Sequence, residues 1–393
     1  MKITDLAVWK TDASWRNWVF LRVETDNDIV GYGECTVEGR EYAVEGAVKD
    51  MARQLIGREP RRIRELTDLL TRRGYWDSGP IVSSAAGGIE MALWDILGKS
   101  MDAPVHQLLG GRIRDSVPVY SNAWYFGAQT PDDFAQLAAQ TVACGYQALK
   151  FDPFGAAGLM VSEHELEEAL GRVAAVREAV GSGIGLLIEG HGRFGLHSAI
   201  RVGRELERFG VLFFEEPLPP GDFTPLRQVA NAMRVPIAIG ERCYSARECR
   251  LAISSGAVAV IQPDVIHVGG IAALLDTSSA AASALISLAP HNASGPIATA
   301  ATLQVSALAP TLLLQEMFAP NDAPWRDVVA RPASVVENGR VRIPDGPGLG
   351  IELDEAELVR HPFVPRDLNL MDDGSILNRP LVGDERYPLD LVE

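Results

Sequence analysis

Apolar and polar residues alternate through WVFLRVET (18–25) and IVGYGECT (29–36), with Asp26, Asn27 and Asp28 between them. That pattern predicts two half-buried antiparallel strands joined by a turn. Helical spacing follows over 41–57, 60–73 and 84–100; Pro60 suits a first helical turn, and Ile89, Leu93, Ile96 and Leu97 form one stripe of the third segment. From Val117 the pattern changes to short continuous apolar runs: VPVYSNAW (117–124), ALKFDP (148–153), GLLIEGH (185–191), VLFFEEP (211–217), PIAIGE (236–241), VAVIQPD (258–264), LISLAPH (285–291) and TLLLQEM (311–317). Continuous rather than alternating runs are expected of parallel strands buried on both faces. Helix starts fall between them, at Thr130 before Pro131, Asp132 and Asp133, at Ser162 with Glu165, and at Ser245. After Met317 the rhythm stops, and RVRIPDGPGLGIEL (340–353) reads as a strand, a Gly/Pro turn and another strand.

Six polar residues close these later runs at nearly even intervals. Glu189, Glu215, Glu241, Asp264, His291 and Glu316 are separated by 26, 26, 23, 27 and 25 residues. One strand plus one helix per ~25 residues is the rhythm of a parallel (β/α)₈ barrel, whose catalytic groups sit at the C-terminal strand ends. We therefore expect an α/β chain in three parts: an α+β unit over 1–115, a barrel over 116–330 and a C-terminal segment over 331–393 that packs back on the first unit.

Composition narrows the partners. The formal net charge of −16 opposes long-range attraction to nucleic acid or anionic membranes. An acidic small substrate stays open, because local cations can invert the field. The most apolar long stretch, Ile271 to Pro290, carries Asp276 and several hydroxyl residues, which argues against a membrane span. Cys35, Cys144, Cys243 and Cys249 follow no metal or redox spacing, and the first residues lack the apolar core of a signal peptide. A cytoplasmic protein is the simplest expectation, with a small-molecule acid and further copies of the chain as its partners.

The chemistry follows from the strand ends. Carboxylates of Glu189, Glu215 and Glu241 on successive barrel strands would converge and repel unless a cation joins them. An all-oxygen set favours Mg²⁺, with Mn²⁺ as a substitute. FFEEP offers two adjacent acids, Glu215 and Glu216, of which only one can readily face the site. Asp264 and His291 end neighbouring strands, so the carboxylate can fix the imidazole tautomer and make a general base. His191, two residues past Glu189, shares its face if the strand continues that far, and can act opposite His291. Glu316 is placed to hydrogen-bond a substrate oxygen, and Lys150 to pair with a substrate carboxylate or hydroxyl. Trp15, Arg16, Trp18, Tyr75 and Trp76 suit either a sugar acid or packing between the units. His267, three residues past Asp264, can reach the edge of the site or serve a structural role equally well.

Taken in order, these residues carry a resemblance. Glu189 with His191, the EEP of 215–217, the GER of 240–242, the QPD of 262–264 followed by Gly269 and Gly270, and His291 resemble the enolase superfamily, mandelate racemase subgroup. ALWDILGK (92–99), LLGGRIRD (108–115) and IPDGPGLGIE (343–352) extend the likeness over nearly the whole chain. Within the subgroup, YSNAWY (120–125), ALKFDPFG (148–155) and LIEGHGRF (187–194) look most like sugar-acid dehydratases acting on gluconate and galactonate. The resemblance implies a modified TIM barrel, (β/α)₇β, with an α+β N-terminal capping domain. It also implies one Mg²⁺, Glu215 rather than Glu216 as a ligand, and proton abstraction beside a carboxylate to give an enediolate.

Two departures shape the functional expectation. Many subgroup members carry Lys-x-Lys on the second barrel strand, whereas here Asp152 follows Lys150 by two positions. A missing second lysine removes one base, so racemisation is disfavoured. The first metal ligand, commonly Asp, is Glu189 here. The expected activity is dehydration of an aldonate such as D-gluconate or D-galactonate to a 2-keto-3-deoxy acid, with His291 taking the C2 proton and His191 assisting loss of the C3 hydroxyl. Epimerisation or lactone cycloisomerisation on the same site, and sugar-acid binding without turnover, are the alternatives.

Overall fold

The computed structural model describes residues 1–73, 76, 79–318 and 322–366. The predicted hairpin forms as β2 (Arg16–Thr25) and β3 (Val30–Glu34), with Asp28 in the left-handed region at the turn. A further strand, β1 (Ile3–Ala13), pairs antiparallel with β2. Its residues are mostly half-buried with no clean alternation, so it leaves no period in the sequence.

Helices α1 (Glu41–Leu55), α2 (Ile63–Thr71) and α3 (Pro80–Ser100) cover this sheet, followed by a single turn, α4 (Val105–Leu108). Pro60 does not open α2, which starts three residues later behind Arg62. α3 is long and apolar enough to cross a membrane, but most of it is buried in protein. Small residues bring it onto β3: a Cβ at Gly33 would sit 1.9 Å from the Gly88 carbonyl oxygen.

Among the described residues, eight parallel strands form the barrel part of the second sheet: β4 (Ser116–Ser121), β5 (Ala148–Phe151), β6 (Gly185–Glu189), β7 (Phe213–Glu215), β8 (Ile237–Ile239), β9 (Val260–Ile261), β10 (Ser287–Leu288) and β11 (Gln315–Met317). They pair in chain order from β4 to β10, and β11 pairs with β4. β10 and the approach to β11 form no regular ladder. They meet through one bridge, Leu288 with Leu312, and hydrogen bonds from Leu288 N to Thr311 O (2.9 Å) and Leu313 N to Leu288 O (2.7 Å).

Helices fill the connections: α5 (Pro131–Ala143), α6 (Glu163–Val180), α7 (Leu196–Leu206), α8 (Phe223–Ala232), α9 (Ala246–Ser254), α10 (Ile271–Ser283) and α11 (Pro296–Ser306). Thr130 and Ser162 form full capping boxes with Asp133 and Glu165, and Ser245 accepts from Glu248 N, as their positions predict.

Strand alternation sets the site. Tyr120, Ala148, Leu187, Phe213, Ala238, Val260 and Ala289 form one buried apolar cluster inside the barrel. The intervening Leu149, Ile188, Phe214, Ile237 and Ile261 face the outer helices. Two residues beyond the inner layer, the same face presents Lys150, Glu189 and Glu215. An apolar floor with an ionic layer above it therefore follows from period two alone.

The strands are shorter than their apolar runs. Asp152, Glu241, Asp264 and His291 all lie in loops beyond the ladder. The last region also differs from expectation. Among β12 (Ala330–Arg331), β13 (Val336–Glu337), β14 (Arg340–Arg342) and β15 (Glu352–Leu353), β14 joins β4 and β13, whereas β15 pairs with β12. The two strands of 340–353 thus belong to different sheets. Beyond them the chain returns to the first unit, with Asp12 N bonded to His361 O (2.9 Å) and Asn17 Nδ2 to Val364 O (2.8 Å).

Candidate active site

A cavity of about 290 Å³ opens at the C-terminal ends of the barrel strands. Lys150, Glu189, His191, Glu241 and His291 line its inner part, and Trp15, Glu38, Phe126, Tyr244 and Phe318 lie around it. The side chains of Glu189, Glu215 and Glu241 each offer an oxygen within 4.8 Å of the others. Glu189 and Glu215 are register partners on β6 and β7, which fixes two of the three side by side.

The electrostatics of this trio call for positive charge. Burial, then the adjacent Glu189, pushes the Glu215 carboxyl well above the usual carboxylate range. Burial also opposes ionised Glu189, yet His191 and Lys150 beside it hold that carboxyl low. Lys150 Nζ lies 2.7 Å from Glu215, 2.9 Å from Glu316 and 3.4 Å from Glu189. One ammonium is thus shared among three buried carboxylates, and Glu189 Oε2 still lacks a hydrogen bond. The donor set is all oxygen, it faces the cavity through Glu189 and Glu241, and it carries excess negative charge. Those properties fit a hard divalent cation.

Glu216 turns away from the trio. Its φ of 40° breaks strand alternation, and its carboxylate accepts from Arg242 (2.6 Å) and from Gly240 N (3.3 Å). Gln262, part of the QPD motif, donates to Glu215 Oε2 at 2.7 Å.

Two His–Asp pairs face the same cavity. Asp264 Oδ2 lies 2.9 Å from His291 Nδ1, leaving Nε2 3.3 Å from Glu241 and 3.6 Å from Glu316. An ionised carboxylate only accepts, so Nδ1 carries the proton. Burial opposes charge on this imidazole, but Glu316, Glu241 and Asp264 outweigh it and hold its pKa well above the ordinary value.

The second pair is Asp152 with His191, at 2.6 Å between Oδ2 and Nδ1. Arg193 also binds Asp152 Oδ2. β6 ends at Glu189, so His191 does not continue the strand face. It reaches the cavity through a left-handed turn, φ 47°, with its amide bonded to Glu189 Oε1 (2.7 Å). Burial disfavours its charge, while Glu189 and Asp152 raise its pKa. Asp152, which the sequence presents only as a missing lysine, is the partner that sequence reasoning misses. Its pairing spans 39 positions and becomes visible only once the loops after β5 and β6 are adjacent.

Several expected substrate contacts fall elsewhere. Both oxygens of Glu316 are engaged, Oε1 by Asn122 Nδ2 (2.7 Å) and Oε2 by Asn292 N (2.9 Å). Lys150 lines the cavity, but its ammonium is already committed to carboxylates. Trp15 lines the cavity and stacks on Phe318. Arg16 is buried in an ion pair with Asp322 (3.1 Å) and Trp18 is fully buried in the core. Trp76 is exposed and Tyr75 lies outside the described residues. His267 does reach the cavity edge, bonded to Ser84 at 2.9 Å. Glu38, Phe126, Tyr244 and Phe318 carry no distinguishing signal in the sequence, because loop residues have no period.

The chain as a whole also matches known families and proteins. Residues 6–110 match the model of the mandelate racemase / muconate lactonizing enzyme N-terminal domain, and residues 133–357 match the enolase C-terminal domain-like family. The chain is 37% identical to D-gluconate dehydratase of Thermoproteus tenax over 91% of this chain and 73% of that protein. It is 36% identical to D-galactonate dehydratase of Klebsiella pneumoniae (strain 342), over 91% and 94% respectively. The crystal structure of a mandelate racemase/muconate lactonizing enzyme from Jannaschia sp. CCS1 superimposes with a TM-score of 0.87 at 32% identity, covering 92% of this chain and 98% of that one.

Proposed function

The chain belongs to the mandelate racemase/muconate lactonizing enzyme family of the enolase superfamily, and we propose that it is a Mg²⁺-dependent hydro-lyase of sugar acids. The substrate is an aldonate such as D-gluconate or D-galactonate, and the product is the 2-keto-3-deoxy acid. The names of the two dehydratase relatives support the substrate class. The observation that carries the reaction type is the presence of two His–Asp pairs on one cavity beside a carboxylate trio.

Glu189, Glu215 and Glu241 would hold the cation. When bound it would supply the positive charge that stabilises an ionising C2 centre beside a carboxylate and offsets the acidic field around His291. His291, fixed as the Nδ1–H tautomer by Asp264, takes the C2 proton at Nε2. His191, held by Asp152, delivers a proton to the departing C3 hydroxyl. The C2–H and C3–O bonds break, a C2–C3 double bond forms, water leaves, and the enol tautomerises to the 2-keto acid. An acid and a base of different residues are what β-elimination needs; epimerisation would need two bases acting at C2 alone.

Incubation of the protein with Mg²⁺ and a panel of aldonates and aldarates tests this directly. Proton NMR of the product is expected to show a new C3 methylene. Formation of an epimer with C3 oxygen intact would sink the dehydratase reading.

The metal assignment has its own expected result, read without substrate. At a free Mg²⁺ concentration 100 times its Kd, binding should stabilise the fold by about 2.7 kcal/mol. Calorimetry should record this as a rise in thermal midpoint that chelation reverses and that Glu241→Gln largely removes. An unchanged midpoint over a full Mg²⁺ titration would contradict the assignment.

A further inference from the structure

The loops that carry Asp264 and His291 each end at the start of a barrel helix, and each of those helices is capped by a buried glutamate from the N-terminal unit. Glu90, on α3, accepts from Ile271 N (2.7 Å) and Ala272 N (3.0 Å), the first residues of α10, seven positions beyond Asp264. Glu34, the last residue of β3, accepts from Gly295 N (2.6 Å) and Ala298 N (3.0 Å) at the start of α11, four positions beyond His291. Trp94 Nε1 and Thr36 Oγ1 hold the two carboxylates in place, both at 2.8 Å.

Neither helix has a cap of its own. Gly270 and Gly295 occupy the N-cap positions, and neither helix has a side-chain cap hydrogen bond or an acidic residue in its first turn. The glycines give the visiting carboxylates room: a Cβ at Gly270 would lie 2.3 Å from Glu90 Oε2, and one at Gly295 2.9 Å from Glu34. α3 also presses directly on the Asp264 loop, since a Cβ at Gly87 would meet the Ile266 oxygen at 2.5 Å. Arg16, from β2, donates to Ser294 O (3.2 Å) in the His291 loop.

We infer that Glu34 and Glu90 are positioning residues that set the two halves of the Asp264–His291 pair from the N-terminal unit. Docking of that unit and assembly of the base are then one event. The inference rests on His291 being the C2 base. The N-terminal unit thereby takes part in the chemistry through the two loops it holds. Each glutamate supplies two acceptor oxygens to buried amides at a helix N-terminus that have no partner within the helix.

Glu34→Gln and Glu90→Gln in the full chain test this with two readouts. Backbone hydrogen exchange followed by mass spectrometry, without substrate, should show exchange faster by at least about fivefold, the size expected of a lost cap. Glu34→Gln should affect peptides over 292–299 and Glu90→Gln those over 265–272, with the barrel strands unchanged. In steady state with Mg²⁺, kcat should fall about 10- to 100-fold while KM moves less than about threefold, as for displaced but intact catalytic groups. Should either variant fail to fold, Gly295→Ala presses a methyl on Glu34 without removing charge, and the same pattern at 292–299 is expected.

Unchanged exchange in both loops, or loosened loops with full kcat, overturns the inference. If the unsubstituted chain shows no C2 exchange and no dehydration on any sugar acid, the functional reading fails by itself. The hydrogen-exchange arm then still decides whether the two glutamates hold the loops.

Discussion

Replacing His291 by Asn is expected to lower kcat for dehydration by about 10³- to 10⁴-fold, at the upper end of what a positioned general base contributes. The corresponding barrier is about 4–5.5 kcal/mol. Asn keeps an N–H donor on the side of Asp264 and is smaller than imidazole, so it fits without displacing the loop or the carboxylate trio. Mg²⁺ binding should therefore change little, and the loss should appear in kcat rather than in KM. Exchange of the substrate C2 proton with D₂O should fall by the same factor, because it shares the step that His291 performs. Turnover within tenfold of the unsubstituted enzyme would remove His291 from that role.

The site residues legible in the sequence share one property: each ends an apolar run. Glu189, Glu215 and Glu241 read as a trio because strand and helix repeat evenly, and the barrel converts even spacing into proximity. Asp264 and His291 are legible for the same reason. Asp152 is not, since its significance depends on which loop lies beside it, and the left-handed turn at His191 decides that. Apolar runs overstate strand length because they continue past the last ladder bond; LISLAPH spans seven positions, but only Ser287 and Leu288 are paired as strand. Glu34 and Glu90 are hidden too. A helix with no cap in its own sequence looks merely weak until a carboxylate from some 180 or 260 positions away is seen to complete it.

The buried charges show why the N-terminal unit and barrel cannot be treated as separate stabilities. Glu34 and Glu90 are fully enclosed, and burial pushes each carboxyl up to about 7 despite the backbone donors that favour its ionised form. Asp95, also enclosed, ties α3 instead to the C-terminal segment through Leu349 N (2.8 Å) and pairs with Lys99 (2.9 Å) on its own helix. A carboxylate left in the interface without these donors would be strongly unfavourable. The interface is consequently tied to a particular register of barrel loops, and that register also sets the Asp264–His291 geometry.

His191 and Asp152 allow the two halves of the reaction to be separated. Replacing His191 by Asn should slow dehydration by about 10²- to 10⁴-fold, the range for a general acid. Because His291 and Asp264 remain in place, C2 proton exchange in D₂O should survive, so the ratio of exchange to product formation should rise sharply. Asp152→Asn should move the ratio in the same direction but less far. It leaves the imidazole present while weakening the contact that holds its Nδ1–H and raises its pKa. Arg193 would lose its carboxylate partner in the same variant, so Arg193→Lys serves as a control for that contact. The opposite result is equally informative: if exchange and product fall together in His191→Asn, the acid for the C3 hydroxyl is another group, and His191 acts at C2 or on the Glu189 loop.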